Sequence, residues 1–101
     1  MITKVILFPA PDGEYFIPLM EVAKNRAEYY AEEDGFAIGS KEWQDEIDYV
    51  MQDSFEGIDW LINNTDFDDW DCAIKINNEH HVTDEDFWCS SDGFEIIEMA
   101  L

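Results

Sequence analysis

From Glu28 to Asp59 the chain carries 11 acidic residues, Glu28, Glu32, Glu33, Asp34, Glu42, Asp45, Glu46, Asp48, Asp53, Glu56 and Asp59, and a single base, Lys41. An unpaired carboxylate is too costly to bury, so whatever this stretch folds into must keep nearly all of them in water. The apolar residues between them meet that demand at helical spacing. Trp43, Ile47, Val50 and Met51 fall on one stripe, and Glu42, Asp45, Glu46 and Asp48 fall on the opposite face. Ser40 stands where an N-cap belongs.

The flanking segments extend this pattern in both directions. Leu19, Ala23, Ala27 and Tyr30 follow helical spacing behind Pro18, which suits the first helical position, and Gly35 supplies a stop. Asp53-Ser54-Phe55-Glu56 has the form of a capping box, opening a third helix with Phe55, Ile58, Leu61 and Ile62 facing inward, ended by Asn63-Asn64-Thr65. Before the helices, Val5-Ile6-Leu7-Phe8 and Glu14-Tyr15-Phe16-Ile17 read as a β-hairpin around Asp12-Gly13, its loop lengthened by Pro9 and Pro11. After them, Cys72-Ala73-Ile74-Lys75-Ile76 and Phe94-Glu95-Ile96-Ile97-Glu98-Met99 alternate like strands, with Asn77-Asn78 as a turn. Thr83 to Trp88 fits one helical turn or an irregular loop.

The expected order is β-β-α-α-α-β-β in one α+β domain spanning 1–101, a small antiparallel sheet of about four strands covered by two or three short helices. With 7 Phe, 4 Trp and 4 Tyr the chain has enough apolar surface to fold despite its charge. No internal repeat, low-complexity segment or linker interrupts it.

The charge itself is the unusual quantity. Five bases against 25 acids give a formal net charge of −20, where solubility asks a magnitude of only ~2–8 in a small domain. Self-repulsion of that size destabilises the compact state. Glu28 with Glu32, Glu42 with Glu46, Glu42 with Asp45, and Asp45 with Asp48 are helical neighbours, each costing roughly 0.2–0.5 kcal/mol. Only Glu21–Lys24, Lys24–Glu28 and Lys41–Asp45 run the other way.

Several function classes are disfavoured on these grounds. Direct nucleic-acid binding needs clustered bases, and Lys4, Lys24, Arg26, Lys41 and Lys75 are scattered. Anionic membranes are disfavoured by the same sign argument. The apolar run before Pro9 is too short for a signal peptide and no stretch reaches transmembrane length, so a cytoplasmic protein is expected. Cys72 and Cys89 make neither a disulfide framework nor a zinc site, and a buried, reduced pair is expected.

Catalytic and metal chemistry find little support. In Asp66-Phe67-Asp68-Asp69-Trp70-Asp71 the spacing invites calcium, but counted from Asp66 the required glycine is Asp71 and the required glutamate is Asn77. His80-His81 lies near Glu79 and Asp84-Glu85-Asp86 without any metalloenzyme spacing. Neither cysteine has the positive neighbourhood a thiolate needs. No cofactor and no enzymatic activity are expected. Trp60, Trp70, Trp88, Phe67 and Phe87 are expected mostly in the core, with one or two left among carboxylates as interface anchors.

In composition, across the whole chain and without a shared motif, the sequence resembles the small DNA-mimic inhibitors of phages and other mobile elements, the anti-restriction and anti-CRISPR proteins. That resemblance implies a stoichiometric inhibitor occupying the nucleic-acid cleft of a basic protein. The helical spacing is compatible with it. Carboxylates one turn apart stand ~5.4 Å along the axis, against ~3.4 Å per nucleotide for phosphates on one DNA strand. The residues expected at such an interface are Glu28, Glu32, Glu42, Asp45, Glu46, Asp48, Asp53, Glu56 and Asp59, with Asp66, Asp68, Asp69 and Asp71 as a second patch. An immunity protein against a nuclease toxin would use the same physics. A divalent-metal-binding domain and a halophilic housekeeping domain are the readings of another class, and a homodimer stays open.

Overall fold

The computed structural model describes residues 2–77, 88 and 93–100. Strands β1 (Ile2–Ala10) and β2 (Gly13–Pro18) form the hairpin, followed by helices α1 (Leu19–Asp34), α2 (Lys41–Gln52) and α3 (Ser54–Asn64), a 3-10 turn (Phe67–Asp69), and strands β3 (Ile74–Asn77) and β4 (Glu95–Ala100). The fold is α+β, with a four-stranded sheet in the order β3-β2-β1-β4 and every neighbouring pair antiparallel.

The hairpin is tighter than its prolines suggest. Pro9 lies inside β1 opposite Glu14, so only Pro11 and Asp12 connect the strands. Gly13 then begins β2 with φ +153°, where a Cβ would stand 2.1 Å from the Asn77 carbonyl oxygen. Only glycine lets β3 approach that closely. Pro18 also moves by one position: it closes β2 opposite Val5 and caps α1 from outside, instead of opening the helix.

Helix α1 buries Leu19, Val22, Ala23, Ala27 and Ala31 and stops at Gly35, whose φ of +79° is left-handed and whose N–H bonds the Ala31 carbonyl. The small alanines let the helix lie close to its neighbours. In α2, Ser40 Oγ accepts from Trp43 N at 3.3 Å, and Ile47 and Val50 are fully inward while Trp43 and Met51 are half-buried.

Helix α3 departs from the sequence pattern in two ways. Asp53 makes no side-chain cap, so the Asp53–Glu56 box does not form. Its inner face is Gly57, Ile58, Trp60 and Leu61, and Phe55 turns outward at 75% exposure. Gly57 explains the rotation, because a Cβ there would meet Leu19 Cδ1 at 2.7 Å and Val50 Cγ1 at 3.4 Å. The missing side chain lets α3 sit down on α1 and α2.

The core joins Ile6, Phe8 and Ile17 of the sheet to Leu19, Val22, Ala27, Ile47, Val50, Ile58 and Leu61 of the helices, closed by Trp70, Trp88 and Phe94. Phe8 is the centre of its aromatic part, with ring centroids of Tyr15, Phe67, Trp88 and Phe94 at 5.2–6.0 Å. Trp60, Trp70 and Trp88 are buried as expected and Phe67 is half-buried. Among the described residues no charged or polar residue is buried, and no helix is long and apolar enough to cross a membrane. Cys72 corrects the expectation of a buried pair: it is exposed and free. Cys89, Phe87, His80, His81 and most of the Thr83–Trp88 segment lie outside the described residues.

Candidate functional site

The carboxylates named from sequence do not line up as one double row. Among the described residues several of them separate into two acidic grooves that share no residue, with Asp53 in a third, more apolar groove and the remaining positions outside these.

The first groove lies between α1 and α3. Asn25, Glu28, Tyr29 and Glu32 of α1 stand at i, i+3, i+4 and i+7 and so share one face, where they meet Trp60 and Asn64 of α3 and Asp69 of the 3-10 turn around a space of about 410 Å³. Trp60 Nε1 donates to Asn25 Oδ1 at 2.8 Å, and its ring stands 5.4 Å from that of Tyr29. That bond fixes the groove's aromatic wall. Glu28 and Glu32 are exposed and form no ion pair among the described residues; Asp69 accepts only from the Asp66 backbone N–H at 2.8 Å.

The second groove, about 610 Å³, lies where the end of α1 meets the start of α2, lined by Asp34, Phe36, Ala37, Glu42, Asp45 and Glu46. Two of its carboxylates are matched. Lys41 Nζ stands 2.9 Å from Asp45 Oδ2, and Arg26 Nη1 stands 2.6 Å from Glu46 Oε2. The Lys41 ammonium is held above its usual pKa by the hydrogen bond to Asp45 first, and by the charges of Asp45 and Glu42 after it. Asp34 and Glu42 have no such partner among the described residues.

Glu46 therefore does a different job from the one its spacing implied. The Arg26 guanidinium lies 4.7 Å from the Tyr30 ring centroid and 4.9 Å from that of Tyr49, and its bond to Glu46 completes a clamp between α1 and α2. Glu56 is half-buried, and its charge is the main reason that the Tyr49 phenol is held above the ordinary value of 10.0, with desolvation second.

Three acids are exposed and tied only to their own helix or turn. Gln44 donates to Asp48, Asn63 donates to Asp59, and Asp66 forms a reciprocal capping box with Asp69. Asp68 and Asp71 are exposed beside that box. Asp53 belongs elsewhere, in an open groove with Phe55 and the start of β4.

None of α1, α2 and α3 carries a base in its last turn, so their C-terminal ends leave their dipoles uncompensated. Glu32, Glu33 and Asp34 worsen this at the end of α1 by a few tenths of a kcal/mol each. Stability alone would favour lysine there.

Among the described residues no group of three or more His, Cys, Asp or Glu is placed to hold a metal ion. The Cys72 thiol is pushed up by desolvation, and next by the charges of Glu21 and Asp71. Sequence reasoning missed Asn25 and Tyr29 as groove residues, and marked Trp60 only as one of five aromatics beside acids, because their grouping depends on how α3 docks. Asp34 was visible as an acid, but not as a neighbour of Glu42. No protein-family model, curated protein or solved structure matches this chain.

Proposed function

We propose that this protein is a DNA-mimic inhibitor, a stoichiometric ligand for the nucleic-acid cleft of a basic protein such as a defence nuclease. The observation that carries this reading is the α1–α3 groove, where Glu28, Glu32 and Asp69 share one open surface with no base among its lining residues. Uncompensated carboxylates on rigid helices are arranged in advance, so a cationic cleft meets them without a large ordering cost. The Asp34–Glu42 end of the second groove extends the same sign of charge. Long-range attraction between such a surface and a basic cleft speeds association and makes it sensitive to salt.

Binding would proceed by exchange. The partner's Lys and Arg side chains, which otherwise neutralise phosphates, would pair with the carboxylates, and nucleic acid would be excluded from the occupied cleft. Arg26, Glu46, Glu56 and Tyr49 support the scaffold and stand apart from that exchange.

The test is capture of a partner from a cell lysate on the tagged protein at low and high salt, followed by competition with duplex DNA. The expected result is one basic nucleic-acid-binding protein, released by salt and displaced by DNA, whose activity falls to zero at one equivalent of inhibitor. Capture of nothing, or of a protein that DNA fails to displace, contradicts the proposal.

A further inference from the structure

We infer that the open groove between α3 and β4 docks an arginine-bearing segment of the basic partner, with Phe55 as its stacking platform and Asp53 and Glu95 as its carboxylate pair. The inference rests on the proposed function for the partner's basic character and adds where and how it is gripped.

Phe55 is 75% exposed, more than any other large apolar side chain among the described residues. A single exposed aromatic means little by itself. Its surroundings are what distinguish it. The groove, about 620 Å³, has Phe94 and Ile96 as an apolar floor and the exposed carboxylates Asp53 and Glu95 beside them, and none of its lining residues is basic. An apolar floor edged by two acids complements a side chain that is flat, weakly hydrated and cationic. Guanidinium fits that description and ammonium does not, because its planar fork can stack on a ring while donating to carboxylates.

The chain already binds one arginine in this manner. Arg26 packs against the rings of Tyr30 and Tyr49 while donating to Glu46. The α3–β4 groove presents the same pairing of ring and carboxylate with the arginine place open to a partner. Its lining is mainly apolar where those of the two acidic grooves are mainly polar, and salt does not screen apolar contact. Phe55 would therefore contribute to affinity without changing the slope of affinity against salt.

The experiment compares nine-residue oligo-arginine and oligo-lysine peptides, binding to the full chain by fluorescence anisotropy over a range of salt, with NMR observation of the arginine side-chain protons. The wild type is expected to prefer the arginine peptide by about two- to fivefold, the size of an exposed cation–π contact. Arginine δ protons should move upfield under the Phe55 ring current. Phe55→Ser and Phe55→Leu should each abolish the preference and the Phe55-dependent shift while leaving the salt slope unchanged; the leucine variant retains apolar bulk if the serine variant folds poorly. Asp53→Asn with Glu95→Gln should weaken both peptides and flatten the slope. Binding of both peptides with no preference, unaltered at Phe55→Leu, overturns the inference while the basic-partner reading stands. Binding of neither peptide overturns both.

Discussion

Arg26 Nη1 and Glu46 Oε2, 20 positions apart in sequence, meet at 2.6 Å and join α1 to α2 with the guanidinium set between Tyr30 and Tyr49. In a chain with 25 acids and five bases, one of the few cations is thus committed to holding two helices together. The rest of the acidic surface is left without it.

Arg26→Ala should therefore destabilise the fold more than loss of a surface ion pair would. Removing the charge-assisted hydrogen bond and two ring contacts is expected to cost about 2–3 kcal/mol, measured by urea unfolding. Arg26→Lys should recover less than half, because ammonium keeps the charge but not the planar stacking.

Gly57→Ala tests the docking of α3. Helix propensity would favour alanine by ~1 kcal/mol, but overpacking against Leu19 and Val50 costs ~1–3 kcal/mol. A net loss of about 1 kcal/mol is expected, with Gly57→Val far worse. A stabilised Gly57→Ala protein would show that the contact at 2.7 Å relaxes freely.

The end of α3 depends on two tryptophans and a threonine. Trp88 Nε1 donates to the Leu61 and Thr65 carbonyls at 2.9 and 2.8 Å, while Thr65 Oγ1 donates to Leu61 O and accepts from Trp70 Nε1. Thr65→Val, nearly equal in volume, should cost about 1–3 kcal/mol in urea unfolding because it leaves the Trp70 indole N–H unpaired.

Tyr49 gives a pH signature. Its pKa is raised above 10.0, first by the charge of Glu56. A folded-state pKa above the unfolded value favours the protonated folded form. That contribution is complete below pH 10.0 and lost as pH rises through the folded value. Ultraviolet titration should show Tyr49 ionising late, and Glu56→Gln should bring it down. Tyr15, raised chiefly by its hydrogen bond to Asp12, should be unmoved by that change.

Charge reversal separates the α1–α3 groove from the outer face of α2. Glu28→Lys with Glu32→Lys should weaken capture of a basic partner at least tenfold, while Asp45→Lys with Asp48→Lys should weaken it less, since Lys41 already offsets Asp45. All four positions are exposed, and thermal melts of both variants are expected to stay within about 0.5 kcal/mol of the parent. Equal capture by the Glu28/Glu32 variant and the parent would place the interface elsewhere.

The order of elements was legible because strands and helices impose local periods. Val5–Phe8, the Trp43–Ile47–Val50 stripe, the Ser40 cap and the Gly35 stop each state their role within a few residues. The outward position of the acids was equally legible, because the cost of burying charge does not depend on the fold. What sequence could not show is which acids are neighbours. Glu46 serves a clamp because α1 and α2 pack side by side, and Phe55 points outward and Glu28 shares a groove with Asp69 because α3 settles on its neighbours through Gly57, a residue with no side chain to register in any hydrophobic pattern. Local spacing determined what each helix must expose; only packing between helices decided which exposed groups stand together.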